Sequence, residues 1–104
     1  MTKVKEISEQ SVYANAILAF GPRAQVDMLH EEVGELLSAI NKYHRGRVTK
    51  QEVITEIADV MIMCGQMAFL FGPDEVQAEK ERKLIRLQQR IDEYNSKHEK
   101  RNNP

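Results

Sequence analysis

Two acidic motifs in this chain have spacings that suit the binding of a divalent cation. The first is EExxE, formed by Glu31, Glu32 and Glu35, and the second is ExxD, formed by Glu56 and Asp59. Residues three or four apart lie on one side of an α-helix, so each motif can direct its carboxylates to one region. Carboxylate oxygens are ligands that Mg²⁺ prefers. The residue types therefore predict a metal site, provided that the two helices face each other.

The positions of the acids around their helices favour that arrangement. At about 100° per residue, Glu35 lies about 40° and Glu32 about 100° from Glu31, so Glu32 borders the apolar stripe of its helix. Glu56 and Asp59 continue into an apolar strip made of Met63, Met67 and Leu70. Unpaired carboxylates beside a core are costly to ionise and repel one another, and cations remove both costs.

Spacing alone is weak evidence, as two other motifs illustrate. Glu6 and Glu9 also form ExxE, and we interpret them as solvated surface. His30 and Glu31 begin an HExxH motif, but Gly34 stands where the second histidine of a zinc protease would be. We expect Gly34 to allow a neighbouring helix to approach closely.

Four helices are predicted to position these residues, over about residues 4–20, 23–43, 49–71 and 74–98. The Gly-Pro pair at 21–22 separates the first helix from the second, the pair at 72–73 separates the third from the fourth, and Gly46 supplies the remaining turn. Thr49 and Glu52 have capping-box spacing, so Glu52 is assigned to the helix start rather than to a ligand. Asp74 is expected to cap the fourth helix.

Apolar patterning predicts that these helices form an oligomeric all-α, four-helix bundle. Val60–Phe71 is apolar almost all round its helix and must be covered on most sides. The fourth helix has a seam with alternating spacings of three and four residues, formed by Leu84, Leu87, Ile91, Tyr94 and His98. We expect one domain over residues 1–104, a frayed tail from about residue 99, and a homodimer or homotetramer.

Composition argues against several classes of partner. Lys and Arg number 15 against 16 Asp and Glu, a balance that calls for neither a nucleic acid nor a membrane partner. The run Val60–Phe71 is about twelve residues, too short to span a bilayer. The polar N-terminal stretch is unlike a signal peptide, and a lone cysteine, Cys64, fits a reducing compartment. A cytoplasmic location is therefore expected.

With EExxE followed by twenty residues and ExxD, the chain resembles the MazG-like nucleotide pyrophosphohydrolases. That all-α superfamily also includes dimeric dUTPases and phosphoribosyl-ATP pyrophosphohydrolases. The resemblance covers roughly residues 25–90 and extends to the flanking GPRAQVDMLHEEVGEL, EIADVMIM and KLIRLQQRI.

The resemblance implies a Mg²⁺-dependent hydrolysis of a nucleoside triphosphate to a monophosphate and pyrophosphate, with Mn²⁺ as a substitute metal. By position, Mg²⁺ would bind to Glu32, Glu35, Glu56 and Asp59. Glu31 matches an additional acid, and either Glu31 or Glu32 would accept the proton of the attacking water.

Four further residues are predicted to bind substrate. Lys83 and Arg86 match positions that are often basic in the family and would meet the phosphates. Lys42 lies near the angular position of Glu35, and Gln25 lies in line with Glu32, so either could contact the nucleotide.

Three functions are compatible with the sequence. The first is cleavage of canonical or damaged nucleotides in pool housecleaning. The second is phosphoribosyl-ATP or dUTP hydrolysis within the same superfamily. The third belongs to another class, a non-catalytic helical oligomerisation module in which the acids are structural.

Overall fold

The computed structural model describes residues 7–102, with the backbone alone for residues 100–102. Four α-helices follow one another in this part of the chain, and it contains no strand. The predicted all-α class is confirmed for these residues. The helices are α1 (Glu9–Phe20), α2 (Pro22–His44), α3 (Lys50–Phe71) and α4 (Pro73–Asn102).

The helix boundaries differ from the prediction mainly at three places, the start of α1 and both ends of α4. Helix α1 begins at Glu9, later than predicted, because Ser8 is extended and its hydroxyl accepts a hydrogen bond from the Ser11 amide. Helix α4 begins at Pro73, so Asp74 lies within the first turn rather than at the cap. Helix α4 also continues to Asn102, past the predicted fraying at 99, and residues 103–104 of the tail lie outside the described range.

The capping box at the start of α3 is confirmed. The Thr49 amide donates to Glu52 Oε2 at 2.6 Å, and the Glu52 amide donates to Thr49 Oγ1 at 3.2 Å. Two amides at the start of the helix are thereby satisfied by side chains. Glu52 is engaged at the helix start, as the sequence predicted.

The chain divides into two compact units, Met1–Phe71 and Gly72–Pro104. In the first unit, α2 and α3 form a helical hairpin through the short connection at residues 45–49, and α1 packs against both. The most buried side chains come from all three helices and are Tyr13, Ile17, Gln25, Ala39, Met63 and Gln66. Two of these six are amides, so the small core of this unit carries a polar pair.

The Tyr13 side chain of α1 packs against a glycine of α3. A Cβ atom added to Gly65 would collide with the ring and hydroxyl of Tyr13, which is only 9% exposed. At Gly34, by contrast, an added Cβ would have no described atom within 4 Å. The expectation of close helix approach at Gly34 is therefore wrong, and it is Gly65 that makes room for a neighbouring side chain, the Tyr13 ring.

We expect Gly65→Ala to lower the free energy of unfolding by about 1–2 kcal/mol, because overpacking against Tyr13 outweighs the higher helix propensity of alanine. Gly34→Ala is the matched control and is expected to raise it by about 0.5–1 kcal/mol. Urea unfolding followed by circular dichroism measures both. Shifts of equal sign in the two variants would contradict the assigned contact.

The second unit consists of α4. The predicted seam lies on its surface, with Leu84 53%, Ile91 42% and Tyr94 60% exposed. The rings of Tyr94 and His98 stack, with centroids 3.9 Å apart. These seam residues are therefore exposed, and their alternating spacing of three and four residues predicts that they pack against another helix.

Helix α3 is long and apolar enough to cross a membrane by length and composition. It has 22 residues, and an 18-residue window has a mean hydropathy of 1.6. The apolar run Val60–Phe71, of about twelve residues, is only the second half of this helix. Core helices of soluble proteins meet the same criterion, so the predicted cytoplasmic location stays a prediction.

Candidate metal centre

Three carboxylates from facing helices come together in the first unit. Glu32 and Glu35 of α2 and Glu56 of α3 each offer an oxygen, and these oxygens all lie within 4.8 Å of one another. We call these three residues the acid cluster. The spacing within EExxE places two of them on one side of α2, and the hairpin brings the third opposite.

Two oxygens of the acid cluster are buried without a hydrogen-bond donor. Glu32 Oε2 and Glu56 Oε2 accept no hydrogen bond from any residue that the structure describes. Among those residues, no Lys or Arg lies within salt-bridge distance of either carboxylate. A buried acceptor left without a partner is unfavourable, and more so when ionised. Both oxygens are therefore buried without a compensating donor or positive charge among the described residues.

The electrostatics of the site raise the pKa of two of its members. Burial is the largest cause for the Glu32 carboxyl, followed by the charges of Glu35, Asp59 and Glu56. For Glu56, burial again raises the pKa most, followed by the charges of Glu35 and Asp59. Crowded, partly buried carboxylates disfavour their own ionised form.

The remaining predicted acids lie beside the acid cluster rather than in it. Asp59 is half-buried and acts on the pKa of both Glu32 and Glu56. Glu31 is exposed, and its charge is the smallest of the contributions that raise the pKa of Glu32. The structure thus places all five predicted acids in one neighbourhood, with three of them in mutual reach.

A cleft of about 310 Å³ opens beside the acid cluster, at the end of the hairpin nearest the connection. Glu35 and Glu56 form one edge of it, and Lys42 lies on its wall. Its other lining residues are Ser38, Ala39, Val48, Glu52 and Thr55. Of the predicted substrate-binding residues, Lys42 is the one that this cleft places next to the acids.

The other predicted substrate-binding residues have different surroundings. Gln25 is buried, and its side-chain amide donates to Gln66 Oε1 at 2.6 Å, so it is engaged within the protein. Lys83 and Arg86 are exposed on α4, in the second unit. Their assignment to phosphate binding stays a prediction.

Sequence reasoning missed Ser38, Thr55 and Gln66. Gln66 had a visible signal, because it is the amide that interrupts the apolar run Val60–Phe71. Ser38 and Thr55 had none, since single hydroxyl residues on helices are common and only the facing helix turns them into a cleft wall.

The raised pKa values predict how stability depends on pH in the absence of metal. Above about pH 4.5, the ordinary carboxyl value, the native protein holds protons on Glu32 and Glu56 that the unfolded chain has released. The free energy of unfolding should therefore fall as pH rises from there through the raised values. Thermal unfolding in a chelator between pH 4.5 and 8 measures this.

The double variant Glu32→Gln, Glu56→Gln is the control for that titration. Its pH profile should be flatter than the wild type over the same range, because both titrating groups are gone. Parallel profiles for the two proteins would contradict the raised pKa values.

Comparison of the chain with protein-family models, with curated proteins and with solved structures gave no match. What the chain itself defines is an all-α protein whose second and third helices assemble an acid cluster beside a cleft.

Proposed function

We propose that the acid cluster is a divalent-cation site and that the protein is a Mg²⁺-dependent nucleoside triphosphate pyrophosphohydrolase. One observation carries the proposal. Three carboxylates converge within 4.8 Å, two of them have buried oxygens without donors, and a cleft begins at their edge. The acid spacing that resembles the MazG-like superfamily supports the same activity.

The residues of the acid cluster fit Mg²⁺ or Mn²⁺. All available donors are carboxylate oxygens, which are hard ligands, and described cysteine or histidine side chains are not part of the cluster. A cation would satisfy Glu32 Oε2 and Glu56 Oε2 and would offset the burial and the mutual repulsion that raise both pKa values. Asp59, half-buried beside them, is assigned as a fourth ligand.

When bound, Mg²⁺ supplies charge neutralisation of the phosphates and a lowered pKa for water. The chain's own residues then position the substrate and accept a proton. Glu31 and Glu32 are assigned to proton acceptance, and Glu31 suits it because it lies outside the three mutually close carboxylates. The products are a nucleoside monophosphate and pyrophosphate.

Lys42 is assigned to substrate binding because it is the positively charged side chain among the residues that line the cleft. Two carboxylates at the edge and one capping carboxylate, Glu52, leave the cleft with an excess of negative charge before metal binds. A polyphosphate would therefore enter together with its cations, which agrees with a metal-dependent reaction. Lys83 and Arg86 are proposed as further phosphate contacts.

Exposed apolar side chains support the proposal of a homodimer or homotetramer. Leu18 on α1 is 83% exposed, and Met61 and Phe71 on α3 are 66% and 77% exposed. Soluble monomers rarely expose large apolar patches. Covering these side chains with a second copy of the chain would complete a bundle of four-helix type. The protein is further proposed to be cytoplasmic and to have no nucleic acid or membrane partner.

A panel of ribo-, deoxyribo- and modified nucleoside triphosphates with Mg²⁺, scored for pyrophosphate and for phosphate, tests the activity. We expect pyrophosphate and a monophosphate from at least one nucleotide, and none in a chelator. Including phosphoribosyl-ATP and dUTP separates the two superfamily alternatives. Phosphate as the released product would contradict cleavage between the α and β phosphates.

The exposed seam of α4 and the exposed side chains of α1 and α3 favour one alternative of another class, a non-catalytic oligomerisation module. In that case neither metal binding nor nucleotide hydrolysis is expected. Oligomers that assemble normally while millimolar Mg²⁺ changes neither thermal stability nor any nucleotide would decide for this alternative.

A further inference from the structure

The amide pair Gln25 and Gln66 joins the open end of the α2–α3 hairpin. Gln25 lies in the first turns of α2, and Gln66 lies near the end of α3. Gln25 Nε2 donates to Gln66 Oε1 at 2.6 Å, and Gln66 Nε2 lies 3.6 Å from Met63 Sδ. The two residues are 7% and 5% exposed, so this is a buried, directional contact between the helices.

The amide pair shares its register with the acids. Glu32 lies seven residues after Gln25, and Asp59 lies seven residues before Gln66. In the same way, Glu35 lies ten residues after Gln25, and Glu56 ten residues before Gln66. In an antiparallel hairpin, equal steps from a facing pair reach residues at the same level along the two helix axes, so the contact of the amides sets which acids lie level with each other.

The closed end of the hairpin is held by its connection, where the Arg45 and Arg47 amides both donate to the Lys42 carbonyl. The acid cluster lies between this connection and the amide pair, and its carboxylates repel one another without metal. Two fixed ends would keep the carboxylates together against that repulsion. A single buried polar pair is a known means of fixing helix register.

We propose that Gln25 and Gln66 are a positioning pair, which fixes the register of α2 and α3 so that the carboxylates of the acid cluster meet in a geometry ready for metal. The identity of the ligand as a metal rests on the proposed function, whereas the fixing of the helix register rests on the contacts of the hairpin alone. It assigns Gln25 to site assembly instead of substrate contact.

The test compares Gln25→Leu, Gln66→Leu and the double Leu variant by thermal unfolding and by Mn²⁺ titration followed by electron paramagnetic resonance. Each single change leaves a buried amide without its partner, so we expect Tm to fall by about 5–15 °C. Mn²⁺ affinity should fall about tenfold or more, as when a supporting contact of a metal site is lost.

The double variant separates positioning from packing. Leucine against leucine should return Tm to within a few degrees of the wild type, because no polar group is orphaned. Mn²⁺ affinity should stay about tenfold weaker, because an apolar contact has no direction that fixes the register. Recovery of affinity together with Tm, or single variants that lose Tm and keep affinity, would overturn the proposal.

A metal-independent measurement keeps the inference apart from the proposed function. Spin labels on Arg23→Cys and Gln51→Cys, in a Cys64→Ser background, lie about 25 Å apart along the hairpin, and a slip of one turn changes this by about 5.4 Å. We expect one narrow distance with the amide pair and a broadened or shifted distribution with Leu–Leu. An unchanged narrow distance would overturn the positioning role, whereas a wild type that binds no Mn²⁺ but shows the expected distances would overturn the proposed function alone.

Discussion

Replacing Glu56 with Gln is expected to lower turnover at least about 100-fold, the scale on which one charge-stabilising group acts in an active site. Glu56 is the member of the acid cluster that α3 contributes, so its loss leaves Asp59 as the one proposed ligand on α3. Circular dichroism should report unchanged helical content. The same loss of turnover is expected for Asp59→Asn, because the charge of Asp59 raises the pKa of both Glu32 and Glu56.

Asp27→Asn is the matched control, because Asp27 is an exposed acid on α2 that is not part of the acid cluster. It should keep wild-type turnover. Without metal and at neutral pH, Glu56→Gln should also be more stable than the wild type, because it removes a partly buried charge with a raised pKa. Wild-type turnover in both Glu56→Gln and Asp59→Asn would contradict the assignment of the site.

Mg²⁺ or Mn²⁺ is expected to raise the thermal stability of the wild type substantially. A ligand that binds only the native state adds about 2.7 kcal/mol at a concentration 100 times its Kd. For a domain of this size that corresponds to a rise in Tm of about 10–20 °C. Differential scanning fluorimetry over a metal titration measures it.

The rise should be larger at pH 7.5 than at pH 5, because protons on Glu32 and Glu56 compete with the cation. It should be largely lost in Glu56→Gln and retained in Asp27→Asn. Equal stabilisation of wild type and Glu56→Gln would place the bound metal elsewhere on the protein.

The sequence was informative wherever the determining geometry is local. The helix ends at Gly21 and Gly72, the capping box of Thr49 and Glu52, and the shared side of Glu32 and Glu35 all depend on residues within one or two turns. The meeting of Glu56 with them required one tertiary assumption, that a short connection makes α2 and α3 neighbours. The position of the acid cluster was therefore within reach of sequence reasoning.

What was missed depends on contacts distant in the chain. Angular position placed Gln25 in line with Glu32 on α2. The hydrogen bond that Gln25 donates is accepted by Gln66, which lies 41 residues away in the chain. Gly34 and Gly65 look alike in sequence, and only the placement of Tyr13 against Gly65 distinguishes them. A helical wheel gives the direction of a side chain and leaves open what lies opposite.

Hydrolysis in water enriched in the heavy oxygen isotope, with Mg²⁺ and the best nucleotide of the panel, tests the central claim most directly. Mass spectrometry of both products locates the new oxygen. The proposed attack at the α phosphorus predicts heavy oxygen in the nucleoside monophosphate and none in pyrophosphate. Heavy oxygen in pyrophosphate or phosphate, or no Mg²⁺-dependent hydrolysis of any nucleotide in the panel, would contradict it.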